Sequence, residues 1–184
     1  IFGAVLGSRE ARLEEWAITD QLTGLFNSRY FHERLRQSLA SARRQRAPLS
    51  LVLLDADHFK RINDQHGHPT GDSVLQSIGA TLSSQLRTGE VGARVGGEEF
   101  ALLLPATPVE QAAVAAERIR AAISREVEIP GRGEPRTVTL SAGVAGIEVD
   151  GSADPAELYK RADRALYRAK REGRDRVAIA KSVT

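Results

Sequence analysis

The feature that most constrains the fold is the run LSLVLLDAD at residues 49–57. Nearly every residue before Asp55 is apolar, and a strand of this kind has to be buried on both faces. We therefore expect it to be the central strand of a sheet covered by helices. Because the apolar run stops abruptly at Asp55 and Asp57, this strand would deliver carboxylates to one edge of the sheet.

Two amphipathic helices are predicted on either side of this strand. The first begins at an N-cap, Asn27 or Ser28, and cannot continue past Pro48. The second runs from Asp72 onward and is stopped by Gly89. Apolar residues recur at helical spacing in both: Phe31, Leu35, Leu39 and Ala42, then Val74, Leu75, Ile78, Leu82 and Leu86.

A β-hairpin is predicted next, with GARV and FALLLP as strands and residues 96–99, GGEE, as the turn. Paired glycines allow the positive φ angles of a tight reversal. The segments PVEQAAVAAERIRAAI, TVTLSAGVAGI, PAELYKRADRALYRAKREG and RVAIA then predict helix, strand, helix and strand. Helix-separated strands combined with a hairpin favour an α+β fold over a doubly wound parallel sheet.

Composition narrows the class of protein. With 184 residues and 41% hydrophobic content the chain can form one compact domain. It has no cysteine, so thiolate metal sites and disulfides are excluded. Its net charge of +2 is too small to indicate nucleic-acid binding. No apolar run approaches the roughly 20 residues of a membrane span.

The chain starts without Met, and we expect it to be a fragment of a longer protein. Residues 1–18 are predicted to end an incoming helical linker, since SREARLEEWAI places apolar residues on one side of a charged helix. Residues 19–180 would form the domain, and residues 181–184 a tail. A solvated linker with no further role is an equally good interpretation of residues 1–18.

Asp55 and Glu98 are the first candidates for chemistry. Strand pairing could bring them together, although they lie 43 positions apart (98 − 55). Two carboxylates on a partly open site suit Mg²⁺ or Mn²⁺ holding a nucleoside triphosphate. A structural aspartate at a strand end and a solvated glutamate in a turn explain the spacing equally well.

The segment DADHFKRINDQHGHPTGD, residues 55–72, is too rich in polar groups for packing alone. Lys60 and Asn63 would lie within reach of a phosphate or a ribose. Asp72 could accept both hydrogens of the N1 and N2 edge of guanine, which adenine cannot match. His68 stands among the glycine turns Gly67 and Gly71 and taken singly is more often a structural residue.

Four motifs together resemble one family. Arg94 followed by GGEEF at residues 96–100 is similar to the signature of GGDEF-domain diguanylate cyclases, here in its GGEEF form. DQLTGLFNSRYF resembles the opening motif of the family, residues 55–72 its substrate segment, and RADRALYRAKREGRDRV its closing helix. The matches span Asp20 to about Val177 in the family order. The implied fold is a five-stranded, mainly antiparallel sheet wrapped by helices.

The resemblance also implies roles for individual residues. Metal, Mg²⁺ or Mn²⁺, would be held by the Asp55 carboxylate, the Ala56 carbonyl and the Glu98 carboxylate. The substrate contacts that the resemblance implies are these: Asn63 and Asp72 at guanine, His68 at the nucleoside end, and Lys60, Lys170 and Arg174 at the triphosphate. Glu98 is favoured as the group that deprotonates the attacking hydroxyl, with Glu99 as second candidate.

The implied enzyme condenses two GTP into cyclic di-GMP and two pyrophosphates, as a cytoplasmic source of a second messenger. The product ring is two-fold symmetric and the chain holds one copy of each motif, so two domains have to meet as a homodimer. The implied partners are therefore GTP, a second copy and an upstream sensory or regulatory domain, without nucleic acid.

This sequence departs from the family pattern at the product-inhibition motif. Many members carry Arg-x-x-Asp, whereas residues 87–90 are Arg-Thr-Gly-Glu, an acid longer by one methylene. Arg87 and Glu90, with Arg118 on the next helix, form a candidate inhibition site. Surface arginines are the competing interpretation. Asp175 replaces the usual asparagine after Gly173-Arg174, and Ser28 replaces an arginine.

Two other functions remain open from the sequence. One is a nonenzymatic module that senses GTP or cyclic di-GMP, which loss of Asp55 or Glu98 would favour. The other is a cyclase that also accepts ATP, which a small neutral residue at position 72 would favour.

Overall fold

A computed structural model describes residues 18–130, 137–147 and 154–181. The predicted helical linker at residues 1–18 falls almost wholly outside these ranges. The elements are β1 (Phe26–Asn27), α1 (Ser28–Gln45), β2 (Leu49–Ala56), α2 (Phe59–His66), α3 (His68–Gln85), β3 (Val91–Arg94), β4 (Glu99–Pro105), α4 (Val109–Glu126), β5 (Leu140–Ile147), α5 (Pro155–Arg171) and β6 (Val177–Ile179).

The strands form one sheet in the order β1-β3-β4-β2-β5-β6. β2 pairs antiparallel with β4 and β5, and β3 pairs antiparallel with β4. The two edge strands pair in parallel with their neighbours. The predicted α+β class is confirmed. The sheet has six strands where five were expected, because β1 is only two residues long and leaves no sequence pattern.

Helices cover both faces of the sheet, and this explains why β2 is apolar throughout. Alternate β2 residues face opposite sides: Val52 and Leu54 pack with α2, α3 and α4, whereas Leu51 and Leu53 pack with α1 and α5. All eight residues of β2 are buried. The strand that ends in carboxylates is therefore the centre of a three-layer core and a rigid base for them.

The substrate-like segment is more helical than predicted. α2 occupies Phe59–His66, and α3 begins at His68 rather than Asp72. Gly67, with φ +84°, makes the turn between them, but Gly71 lies inside α3 and is not a turn residue. The short α2 was missed because only Phe59 and Ile62 on it are buried, which is too few to show a period.

The hairpin turn closes differently from the prediction. Gly96 and Gly97 are not among the glycines with positive φ. The backbone N–H groups of Val95 and Gly96 donate to the Glu99 carbonyl at 2.9 and 3.2 Å. A Cβ at residue 96 would lie 2.3 Å from Glu99 Oε2, so the exposed Glu99 side chain would have to move to accommodate it.

Within the described ranges no helix is long and apolar enough to cross a membrane.

A close approach between β5 and α5 generates the first prediction. A Cβ on Gly143 would lie 2.2 Å from the Ala162 carbonyl oxygen and from the Leu166 nitrogen, both in the backbone of α5. Backbone atoms cannot rotate away, so we expect Gly143→Ala to cost about 3 kcal/mol of unfolding free energy in urea denaturation. Gly97→Ala is the control, because no atom lies within 4 Å of its added methyl. Equal stability of both variants would contradict the packing.

Candidate active site

The site is built at the end of β2, where Asp55 meets Lys170. The Asp55 side chain is 8% exposed, and its Oδ2 lies 2.7 Å from Lys170 Nζ. Lys170 comes from the last turn of α5, which the Gly143 contact holds against the sheet. Two residues that are distant in sequence are therefore in direct contact. The family resemblance implied that both belong to one site.

Glu98 completes the carboxylate pair. Its carbonyl accepts a hydrogen bond from the Ala56 backbone N–H at 3.1 Å, which fixes the hairpin turn to the end of β2. Its half-buried side chain lies close enough to Asp55 and Lys170 to interact electrostatically with both. Glu99 is exposed and is the β4 partner of Asp55 in the strand register.

The carboxylate pair carries negative charge that one lysine does not neutralise. Burial raises the pKa of Asp55 despite the hydrogen bond and charge of Lys170. Burial raises the pKa of Glu98 as well, and the neighbouring Asp55 charge adds to the effect. Two oxygen-donor side chains destabilised as anions fit a divalent cation of the Mg²⁺ or Mn²⁺ type, which would neutralise both. Among the described residues no cluster of three His, Asp or Glu side chains offers an alternative metal site.

The nucleoside end of the site centres on Asn63. Asn63 Oδ1 is buried and has no hydrogen-bond partner among the described residues. A Cβ on Gly71 would lie 1.9 Å from this oxygen, so glycine at 71 makes room for the amide. Asp72 follows Gly71 and is exposed on α3, as are Lys60 on α2 and His68. No hydrogen bond or ion pair in the described ranges joins these three exposed side chains to the carboxylate pair.

Arg94 is a site residue whose role the sequence did not reveal. Its guanidinium donates to the Gly97 carbonyl at 2.7 and 3.1 Å and pairs with Asp20 at 3.3 Å. Asp20 also accepts from the backbone and hydroxyl of Thr23. This pair therefore joins the opening motif to the hairpin turn. No local pattern could have indicated contact between two residues 74 positions apart.

The candidate inhibition residues lie together at the end of α3. Glu90 Oε2 accepts from the Arg87 backbone N–H at 2.7 Å, which leaves the Arg87 side chain exposed. Arg118 reaches across from α4 and donates to the Gln85 carbonyl at 3.2 Å. The longer carboxylate of Glu90 is thus engaged by its own loop.

Comparison with known proteins identifies the family. The family model described as "Diguanylate cyclase, GGDEF domain" matches residues 17–176. The chain belongs to the GGDEF diguanylate cyclase family. This GGDEF domain is 48% identical over 164 residues to diguanylate cyclase DgcP of Pseudomonas aeruginosa, covering 89% of the chain. It spans only 24% of the length of that relative.

Solved structures show the same fold. One is the coiled coil and GGDEF domain of DgcB from Caulobacter crescentus in complex with c-di-GMP, with a TM-score of 0.88 and 32% identity over 96% of this chain and 93% of that one. Another is the active GGEEF domain of a diguanylate cyclase from Vibrio cholerae, with a TM-score of 0.79 and 40% identity over 89% and 100%.

The raised pKa of Glu98 predicts that its charge destabilises the metal-free GGDEF domain. When the pKa of a carboxyl is raised in the folded state, the free energy of unfolding of the domain falls as the pH rises through that pKa. Glu98→Gln should therefore raise the Tm in chelator at pH 7. The gain should vanish below about pH 4, where the carboxyl is protonated.

Scanning calorimetry at both pH values checks this, with Glu110→Gln on the exposed first turn of α4 as control. A lower Tm for Glu98→Gln at pH 7 would contradict the electrostatic account.

Proposed function

We propose that this GGDEF domain is an active diguanylate cyclase that converts two GTP into one cyclic di-GMP and two pyrophosphates. The observation that carries the proposal is the buried Asp55 carboxylate beside Glu98 and Lys170. Burial and the neighbouring Asp55 charge raise the pKa of Glu98, and a purely structural aspartate would not need a second carboxylate beside it. In a site for a metal and a triphosphate, both the negative pair and the lysine have a use.

The proposed metal ligands are the Asp55 and Glu98 carboxylates and the Ala56 carbonyl. Mg²⁺ is the proposed ion, with Mn²⁺ as alternative, because hard oxygen ligands suit both. When bound, the ion would neutralise charge on the phosphates and on the departing pyrophosphate. The remaining ligand positions would be filled by water and phosphate oxygens.

Substrate binding is assigned to groups on three elements. Asn63 Oδ1 has no hydrogen-bond partner within the described part of the chain and is buried beside Gly71, so the side-chain amide would turn toward the nucleotide to accept from a guanine N–H donor. Asp72 supplies the carboxylate that distinguishes guanine from adenine, with His68 beside it at the nucleoside. Lys60, Lys170 and Arg174 are the proposed cations for the triphosphate.

In the proposed reaction the ribose 3′-oxygen of one GTP bonds to the α-phosphorus of the other. The bond from this phosphorus to the β-phosphate bridging oxygen breaks, and pyrophosphate leaves with the electron pair. The proton of the 3′-hydroxyl passes to Glu98, with Glu99 as second candidate, and from there to solvent. The same step repeated in the opposite direction closes the ring.

One domain presents one GTP, so the proposed active unit is a two-fold pair of domains. Residues 1–18 are the proposed link to an upstream sensory or regulatory domain that sets this pairing. The proposed compartment is the cytoplasm, where GTP is made.

The direct test is incubation of the concentrated domain with equimolar GTP and ATP and Mg²⁺, with products identified by mass spectrometry. Cyclic di-GMP that disappears with chelator or with Glu98→Ala is expected. Glu99→Gln, the second base candidate, is the matched comparison and should retain more activity. GTP binding without product would contradict the cyclase and favour the sensor module.

Asp72 generates a prediction about selectivity. Asp72→Ser removes the carboxylate that pairs with the guanine edge, so the preference for GTP over ATP in kcat/KM should fall by at least about tenfold. Because Asp72 is exposed, we expect Asp72→Ser to fold as the wild type does, and circular dichroism checks this. An unchanged preference would place guanine recognition elsewhere.

We further propose that Arg87, Glu90 and Arg118 bind cyclic di-GMP weakly as an inhibitory site. Engagement of Glu90 by the Arg87 backbone supports weak rather than tight binding. Glu90→Asp shortens the acid to the usual length and should lower the inhibitory constant for cyclic di-GMP. Arg87→Ala should raise it without changing initial rates. Initial-rate assays with added cyclic di-GMP check both, and identical inhibition of all three proteins would contradict the site.

A further inference from the structure

Asp57 is a buried carboxylate, and each of its two oxygens accepts hydrogen bonds from protein donors. It is 5% exposed. Ser141 Oγ donates to Oδ1 at 2.7 Å, and Thr139 Oγ1 donates to Oδ2 at 2.7 Å. The third donor is the backbone N–H of Asp175, 3.0 Å from Oδ2. Asp57 thus joins the end of β2 to β5 and to the segment after α5 through three hydrogen bonds.

The segment that Asp57 binds is a turn of unusual backbone conformation. Gly173, Arg174 and Asp175 have φ angles of +119°, +62° and +44°. Two consecutive non-glycine residues in the left-handed region persist only where the surroundings hold them. The Arg174 N–H also bonds to the Ala169 carbonyl at 3.0 Å. The Arg176 carbonyl accepts from the Ala142 N–H of β5 at 2.9 Å, so the turn is tied to the central sheet by this backbone bond and by the Asp57 bond.

This turn follows directly after the helix end that carries Lys170. Lys170 contacts Asp55, and Arg174 is close enough to lower the pKa of Asp55 by its charge. Lys170 is positioned by α5, whereas the position of Arg174 depends on the path of the turn at residues 172–176. A second tie comes from α4, where Arg120 pairs with the Asp175 side chain at the surface.

We infer that Asp57 is a positioning residue for substrate: it holds the 172–176 turn so that Arg174 faces the triphosphate beside Lys170. The inference rests on the proposed function and deepens it. Asp57 contacts neither substrate nor metal, and it acts on the turn through its hydrogen bond with the Asp175 N–H. Loss of its acceptor oxygens should release the turn and weaken triphosphate binding while leaving the metal ligands Asp55 and Glu98 in place.

The test is calorimetric binding of 3′-deoxy-GTP with Mg²⁺, since this nucleotide lacks the attacking hydroxyl and cannot turn over. Asp57→Ala should raise the Kd by about tenfold or more, because displaced contacts cost binding steeply. Hydrogen exchange of the Asp175 amide should quicken in the same variant. Asp57→Asn is the rescue, since its oxygen can accept from Thr139 and Asp175 while its amide donates to Ser141.

Asp175→Asn is the matched control. It keeps the N–H that Asp57 binds, and its amide oxygen can still accept from the Arg120 guanidinium, so its Kd should stay within about twofold of wild type. A Kd for Asp57→Ala equal to that of wild type would overturn the inference. A loss in Asp57→Asn as large as in Asp57→Ala would also overturn it, because charge rather than hydrogen bonding would then be responsible.

Two outcomes separate this inference from the proposed function. If the wild-type chain does not bind 3′-deoxy-GTP, the proposed function fails and the inference falls with it. If Asp57→Ala does not fold, Thr139→Val replaces it, since it removes one of the two bonds to Oδ2. A rise of about threefold in Kd is then expected, and an unchanged Kd overturns the positioning role.

Discussion

The contact between Asp55 and Lys170 joins the central strand to the last helix, and the other parts of the site are arranged around it. β2 can carry a buried carboxylate because its eight residues are packed on both faces and cannot shift. α5 can deliver Lys170 because Gly143 lets its backbone approach the sheet closely. The hairpin turn adds Glu98 through the bond from Ala56. A negatively charged site of this kind is unfavourable without a cation, which is the physical reason to expect a metal ion there.

Several polar contacts serve to hold these parts in register. Arg94 ties the hairpin turn to the opening motif through Asp20. Asp57 ties the end of β2 to β5 and to the closing turn. These residues lie beside the proposed ligands in sequence or in space, but their polar atoms form hydrogen bonds with other protein groups. A position next to a motif therefore does not assign a catalytic role. The hydrogen-bond partners of a residue show whether its role is catalytic or structural.

Much of the fold was predictable because its signals are periodic. The apolar run of β2 and the spacing of Phe31, Leu35 and Leu39 on α1 report burial directly, and the structure confirms both. α2 was missed because it buries two residues, and β1 because it is two residues long. The conformation of Gly96 was predicted wrongly, since Gly96 is not among the glycines with positive φ.

The site was predictable only in its residue types. Asp55 and Glu98 could be paired from the family resemblance, and the structure places them together with Lys170. Contacts that depend on tertiary packing, such as Asn63 against Gly71 or Asp175 against Asp57, have no local signature in the sequence. The use of Asp57 as an acceptor for three donors became visible only when β5 and the closing turn were placed beside it.

The most direct measurement is the affinity for 3′-deoxy-GTP with Mg²⁺ and with chelator, in the wild-type chain and in Asp55→Asn. If the carboxylate pair binds substrate through a divalent cation, Mg²⁺ should strengthen wild-type binding by at least about tenfold. Asp55→Asn should lose this increment and retain the metal-independent part. Equal dependence on Mg²⁺ in both proteins would contradict the account, because the cation would then be bound elsewhere.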